Sequence, residues 1–317
     1  MYNSSKYICE CLDSLNVFFN DNKYEIIIID DGSKDNSCNL CEEYIKKFNN
    51  IFLFKIENHG VSYARNYGIK ETKSDYIYFI DSDDKLIPNI KSKFDDCLSY
   101  NFDLLILNEF INCNTSKLDL VNYVLGYGDS KCLLSAPYCK IFSTNIIMNN
   151  NVYFDTNLMN GEDMIFVLQN VLLSKNIIIK NEKTYMNRIH LNSSTRKFNP
   201  KIIKNDIYFQ DKLQHIVEET KLIENISDLI DFKKIDGIFT VLKNISYNNS
   251  FISAKKNFKL VDCNKYIITS KNNLINKKKY LVYKLFLKRK YLIIYLIFKI
   301  YLSKNKKSGR DEFFIEI

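Results

Sequence analysis

No stretch of this chain stays apolar for long. The longest uninterrupted run, YLIIYLIF from Tyr291 to Phe298, is eight residues, far short of the ~20 that a membrane-spanning helix requires. A helical bilayer span is therefore excluded. No secretory signal precedes the cysteines, and their number, nine, is odd. A complete disulfide framework is excluded, and free, mostly buried thiols in a reducing cytosol are expected. Cys9-x-Cys11 with Cys38-x-x-Cys41 imitates a zinc site, but Cys11 and Cys41 fall on the apolar faces of predicted helices, which favours core packing. Acidic residues are missing from Lys277 to Arg310, a segment that holds 12 Lys/Arg. The formal net charge of +8 thus belongs to one tail, and the rest of the chain stands at −4.

What is present is a globular composition. Hydrophobic content of 46% and charged content of 26% suit a chain with a full core, and 317 residues leave room for about two domains. The stretch that organises the rest is Tyr76-Ile77-Tyr78-Phe79-Ile80-Asp81-Ser82-Asp83-Asp84. Five β-prone residues run into three carboxylates within four positions, which reads as a buried strand and its acidic carboxyl end. Like charges packed this closely raise one another's pKa. A hard divalent cation, Mg²⁺ or Mn²⁺, relieves that cost and commonly completes its shell with substrate phosphates. A polar turn closing a strand is the plain alternative.

Upstream, a helix with Tyr7, Ile8, Cys11, Leu12 and Leu15 on one face is expected after an N-cap at Ser4 or Ser5. Glu25 to Ile29 reads as a strand ending in a second acidic cluster, Asp30-Asp31-Gly32-Ser33. A helix with Leu40, Cys41, Tyr44, Ile45 and Phe48 inward follows, then a strand from Ile51 to Ile56 and a helix opening at Gly60. Strands alternating with helices mean a mostly parallel α/β sheet. In such a sheet ligands sit beyond the carboxyl ends of the strands, where both acidic clusters fall. Two clusters at one edge suit a nucleotide diphosphate: one accepts from ribose or base, the other holds a metal on the phosphates. Arg65, at a helix start between them, is placed for a phosphate contact or is a solvated surface arginine.

The segments YNSSKYICECLDSL, YEIIIIDDGSKDNS, NHGVSYARNYGI and DYIYFIDSDDKLIPN, in this order and spacing, resemble the family 2 glycosyltransferases of GT-A fold. The likeness continues through YCKIFSTNII, VYFDTNLMNGEDMIF and YMNRIHLNSST, about two-thirds of the chain. It implies that Asp30 and Asp31 contact the donor nucleoside and that Asp81-Ser82-Asp83 is the metal-binding DxD, with Asp83 the leading ligand and Asp84 next in line. It also places Arg65 near the donor diphosphate, makes Glu162-Asp163 the acceptor-side pair with Asp163 as general base, and sets Arg188 and His190 on a mobile loop over the diphosphate. Without the family context, Glu162 and Asp163 would simply favour a helix dipole.

The reaction so implied is an inverting transfer from a nucleotide-diphospho-sugar, a UDP-sugar being the expected donor, to a glycan or lipid-linked acceptor in surface polysaccharide assembly. Nucleotidyl transfer also gathers acidic strand ends around Mg²⁺, and an inactive relic that only binds is a third reading. The family pattern begins with a central strand of some six apolar residues ending near Tyr2-Asn3. Here that strand is absent, and a start codon further upstream is the expectation.

The expected organisation is a GT-A-like domain over 1–196, with a donor half to about 108 and an acceptor half over 109–196. A helical extension over 197–270 and a basic tail over 271–317 follow. In the tail, Lys277-Lys278-Lys279 and Lys288-Arg289-Lys290 bracket YLVYKLFL. Basic clusters interleaved with apolar residues suit helices lying on an anionic membrane surface, rather than nucleic acid. A charged hairpin packed on the protein is the alternative. Localisation on the cytoplasmic face of the membrane, as a peripheral protein, follows.

Overall fold

Apolar runs punctuated by Gly, Asn, Asp and Ser set the order of the elements. α1 (Ile8–Asp13) and a 3-10 turn lead into β1 (Ile26–Asp31), α2 (Ser37–Ile45), β2 (Ile51–Ile56), α3 (Val61–Glu71) and β3 (Tyr76–Tyr78). A short β4 (Lys85–Leu86), α4 (Ile90–Leu98), β5 (Leu104–Leu107), α5 (Lys117–Leu125), β6 (Lys140–Ser143) and α6 (Thr144–Asn149) come next. After α7 (Glu162–Leu173), β7 (Ile177–Lys180) and β8 (Tyr185–His190), the chain turns helical. The helices are α8 (Ile202–Glu219), α9 (Ile226–Asn248), α10 (Phe251–Leu260), α11 (Lys277–Leu287) and α12 (Tyr291–Asn305). A final β9 (Glu312–Glu316) pairs with β8. The structure is a computed structural model; it describes all residues except 128–133, 191–198, 200, 221–225, 270–276, 306–311 and 317, and no side chains at 189, 190, 248, 301–305 and 312–316.

β1 pairs in parallel with β2, Ile26 opposite Ile51. A four-stranded sheet has the order β3-β6-β5-β7, with β5 parallel to β7 and β6 antiparallel to both its neighbours. β3, β5 and β7 therefore run the same way. β4, β8 and β9 form a third, antiparallel sheet. Alternation along β5 shows why the sheet is buried on both faces: Leu104 and Ile106 enter one core, Leu105 and Leu107 the other. Along the strand that starts at β3, Ile77 and Phe79 join the first core and Tyr76, Tyr78 and Ile80 the second.

Among the described residues no strand bridges β1 and β3. The edge of β1 away from β2 is met by Met1, whose ammonium donates to Ile29 O at 2.5 Å and whose carbonyl accepts from Asp31 N at 2.9 Å. Residues 76–80, expected as a buried strand, are only half-buried. The expected N-cap at Ser4 or Ser5 is corrected: α1 starts after Tyr7. Ser4 O already accepts from Tyr7 N and Ile8 N in a preceding turn, and the Ser5 amide donates to Asp35. The expected inward face, Ile8, Cys11, Leu12 and Leu15, is buried. Cys11 and Cys41 are core residues too, and burial pushes both thiols up to about 12.

The helices after residue 197 build their own core. Ile235, Ile238, Val241, Leu242 and Ile245 of α9 pack with α10, α11 and α12. α11 and α12 fold back on α9 as a hairpin, so this core draws on residues from both sides of 270/271. α8 links the two parts: Ile202 and Ile203 join the helical core, while Phe209, Leu213 and Val217 join the core beneath the sheet.

Candidate active site

Both acidic clusters lie at the carboxyl ends of their strands. The first is used locally. Asp30, 3% exposed, accepts from the Ser33 amide at 3.2 Å. Asp31, 4% exposed, accepts from the amides of His59 at 2.8 Å and Gly60 at 2.9 Å, and from the Asn58 side chain at 3.4 Å. Gly60, at φ 94°, opens α3 there, so Asp31 fastens the end of β1 to the start of α3. Sequence placed both carboxylates against a nucleoside; the structure shows them accepting from the protein's own amides.

In the second cluster the three carboxylates separate. Asp84, expected beside Asp83 as a further donor-site residue, faces inward. It is 2% exposed and accepts from Tyr185 Oη at 2.7 Å, Asn187 Nδ2 at 3.2 Å and Arg188 N at 2.7 Å. Burial, with Asp83 and Asp81 nearby, pushes its carboxyl up to about 7. The Asp81 amide donates to the same Tyr185 hydroxyl at 3.0 Å, and Asp84 N donates to Asp81 O at 3.0 Å. Tyr185, stacked on Tyr138 with ring centroids 4.6 Å apart, thus holds the turn carrying Asp81 and Asp83. No role for Tyr185 was read from sequence; its place at the head of the YMNRIH segment was the available signal.

Asp81 and Asp83 are the carboxylates of this turn left on the open side, both half-buried. Among the described residues no group of three or more His, Cys, Asp or Glu is arranged to hold a metal ion. Two carboxylates on one turn are nonetheless the oxygen set with which Mg²⁺ or Mn²⁺ binds when substrate phosphates supply the other ligands. The residues fit such an ion.

Arg65 joins the two halves of the site. Its Nη2 donates to Asp81 Oδ1 at 2.9 Å and its Nη1 to Asp163 Oδ1 at 2.6 Å, across 98 residues of sequence. The guanidinium lies over the Phe154 ring at 5.1 Å and is 13% exposed. Those carboxylates keep it charged despite burial. Sequence placed Arg65 near a diphosphate; the structure makes it the cation between Asp81 and Asp163.

Glu162 and Asp163 start α7 after Gly161, which sits at φ 93°. Burial raises both carboxyls, Glu162 to about 7 with Asp163 as the next cause, while Arg65 opposes the rise at Asp163. Arg188 lies on β8 instead of above the site. Its Nε donates to Asp83 O at 2.8 Å, its Nη2 to Glu10 Oε2 at 2.9 Å, and it covers the Tyr7 ring at 4.7 Å. It braces the acidic turn from behind. His190 ends β8, and its side chain lies outside the described residues.

Residues 1–94 match the model of glycosyl transferase family 2. The chain is 30% identical over 193 residues to poly(ribitol-phosphate) beta-glucosyltransferase of Bacillus spizizenii, covering 58% of this chain and 30% of that one. It is 27% identical over 246 residues to the putative glycosyltransferase EpsH of Bacillus subtilis, covering 73% and 71%. The chain spans about a third of the length of several curated relatives it matches. Its fold is that of Staphylococcus aureus TarS 1–349 in complex with UDP-GlcNAc, with a TM-score of 0.63 at 17% identity, over 96% of this chain and 90% of that one. The resemblance to family 2 glycosyltransferases and the GT-A-type α/β fold read from the sequence both hold.

Proposed function

We propose that this chain, which carries the family 2 glycosyltransferase match over its first 94 residues, transfers a sugar from a nucleotide-diphospho-sugar to a hydroxyl. The donor is a UDP-sugar and the acceptor a glycan or lipid-linked glycan in surface polysaccharide assembly. The observation that carries the reading is Arg65, held between Asp81 at the end of the β3 segment and Asp163 at the start of α7. A cation at that point lies between the carboxylate turn suited to a diphosphate and the acids suited to an acceptor hydroxyl.

Asp163 accepts the proton of the acceptor hydroxyl as its oxygen attacks the anomeric carbon. The bond from that carbon to the diphosphate oxygen breaks on the opposite face, so configuration inverts. The raised pKa values of Glu162 and Asp163 suit this role, since an ordinary aspartate is a weak base. Arg65 offers positive charge to the departing diphosphate. Asp81 and Asp83 would hold Mg²⁺ or Mn²⁺, which when bound neutralises charge on the leaving group. Asp30 and Asp31 fix the loop facing the nucleoside, and Arg188 fixes the turn facing the phosphates.

Among the described residues no helix is long and apolar enough to cross a membrane. The hairpin of α11 and α12 supports binding at the surface of one. On α12, Leu292, Ile293, Leu296 and Ile300 are exposed on the side opposite Ile294 and Phe298, which enter the helical core. An exposed apolar stripe on a hairpin that also exposes Lys284, Lys288, Arg289 and Lys290 suits an anionic bilayer.

Incubating the chain with a panel of UDP-sugars, Mn²⁺ and membrane glycolipid, then measuring released UDP, tests the reading. UDP release with labelled sugar in the lipid fraction is expected. Release of pyrophosphate instead would assign nucleotidyl transfer and overturn it.

A further inference from the structure

We propose that α8 acts as a positioning clamp on the acidic pair, with Asn205 and Phe209 fixing the loop that aims Glu162 and Asp163 at the acceptor. The proposal rests on the reading of those two residues as the acceptor-side acids.

α7 is not capped by a side chain of its own. Its N-cap is Gly161, in the left-handed region, which makes no side-chain cap bond. The direction in which Glu162 and Asp163 leave the helix is therefore set by residues 158–161. Asn205 engages that loop with its whole amide: Oδ1 accepts from Met159 N at 2.6 Å and Asn160 N at 3.3 Å, and Nδ2 donates to Asn160 O at 3.0 Å. The side chain is buried, so these bonds form away from water, where geometry is held most firmly. One helical turn on, Phe209 closes on Gly161. A Cβ placed on Gly161 would lie 2.5 Å from the Phe209 ring. Tyr208 donates to Asp155 at 2.9 Å, and Lys212 pairs with the same carboxylate, which fixes the loop's other end.

A helix that only completed the core would need apolar contacts, and Leu213 and Val217 already supply them. The polar contacts go instead to the backbone of the residues directly ahead of the acids. Misplacing a reacting group by about 1 Å can cost on the order of 10²-fold in rate, so a loop held by three bonds from one side chain is a sensitive place to set geometry. α8 lies outside the residues 1–94 that match the family model. The clamp is thus a contribution of the C-terminal region to the site.

The test uses the full chain with Asn205→Ala, and with Asn205→Asp, which keeps the accepting oxygen and loses the N–H to Asn160. Turnover per folded enzyme is expected to fall at least tenfold in Asn205→Ala and less in Asn205→Asp, with the donor KM within twofold of wild type. Independently of activity, the Glu162 carboxyl is followed by ¹³C NMR, assigned with Glu162→Gln. Its charged neighbours Asp163, Arg65 and Asp81 are unchanged in these variants. The wild-type midpoint is expected near 7 and lower in Asn205→Ala, as the loop opens to water and the burial that raises it is lost. Turnover within twofold of wild type, or a Glu162 midpoint that does not move, overturns the clamp. If wild-type chain releases UDP from no donor, the sugar-transfer reading fails, and the Glu162 midpoint still decides the clamp.

Discussion

Gly161→Ala isolates the packing that fixes the acidic pair. Two separable costs arise. At φ 93° an L-residue pays roughly 1–2 kcal/mol for the left-handed backbone. In addition, the new methyl would lie 2.5 Å from Phe209 Cδ2 and 2.8 Å from Cε2, and forcing a methyl into a filled site costs about 1–3 kcal/mol. The sum is roughly 2–5 kcal/mol of lost stability. Phe209→Ala separates the terms. In that background the clash is gone, and Gly161→Ala should cost only the backbone share, about 1–2 kcal/mol. Urea denaturation of the four proteins of this double-mutant cycle, read by circular dichroism, gives the coupling. An equal cost of Gly161→Ala in both backgrounds would refute the contact between α8 and the start of α7.

Other outcomes follow from the same geometry. Arg65→Ala should destabilise the fold by about 1–3 kcal/mol, below the cost of a fully buried pair because Asp81 and Asp163 are about a third exposed; thermal unfolding measures it. Glu162 is raised from 4.5 to about 7, so between those values the folded state holds a proton that the unfolded state has lost. Stability from this group therefore falls as pH rises from about 4.5 to about 7, and Glu162→Gln should flatten that slope in a pH series of unfolding midpoints. If the ionised form serves transfer, the rate rises through the same window, and Glu162→Gln removes that limb while Asp163→Asn lowers turnover at every pH. Replacing both Leu292 and Leu296 by Glu should lower binding to anionic vesicles in a flotation assay at least tenfold; undiminished binding would remove α12 from the surface.

The strand and helix order of the first half was legible because its signals are local. Runs such as Ile26 to Ile29 and Tyr76 to Ile80 end in carboxylates, and the carboxyl ends of β1 and the β3 segment followed from them. The partners of those carboxylates were not legible, because they come from far along the chain. Asp84 turns inward because β4 pairs with β8 and brings Tyr185 and Arg188 to it. Nothing near residue 84 in sequence signals that pairing. Arg65 reads locally as a helix-start cation, and its link to Asp163 exists only once α3 and α7 meet. Asn205 sat in a polar helical stretch without any motif, and its role comes from the loop it touches. In the tail, the basic clusters were plain in sequence. A hairpin packed on the protein was one reading, but α9 as its partner was not legible, because the first eight residues of α12, Tyr291 to Phe298, are all apolar and do not declare which face is inward.

The most direct test of the account is calorimetric titration of UDP into the full chain with and without Mn²⁺, beside Asp83→Ala. Binding that requires the metal and is lost in Asp83→Ala is the expected result, and it would fix the nucleotide at the turn after the β3 segment. UDP bound equally well by Asp83→Ala, or not bound at all by the folded chain, would contradict a metal-assisted donor site at Asp81 and Asp83.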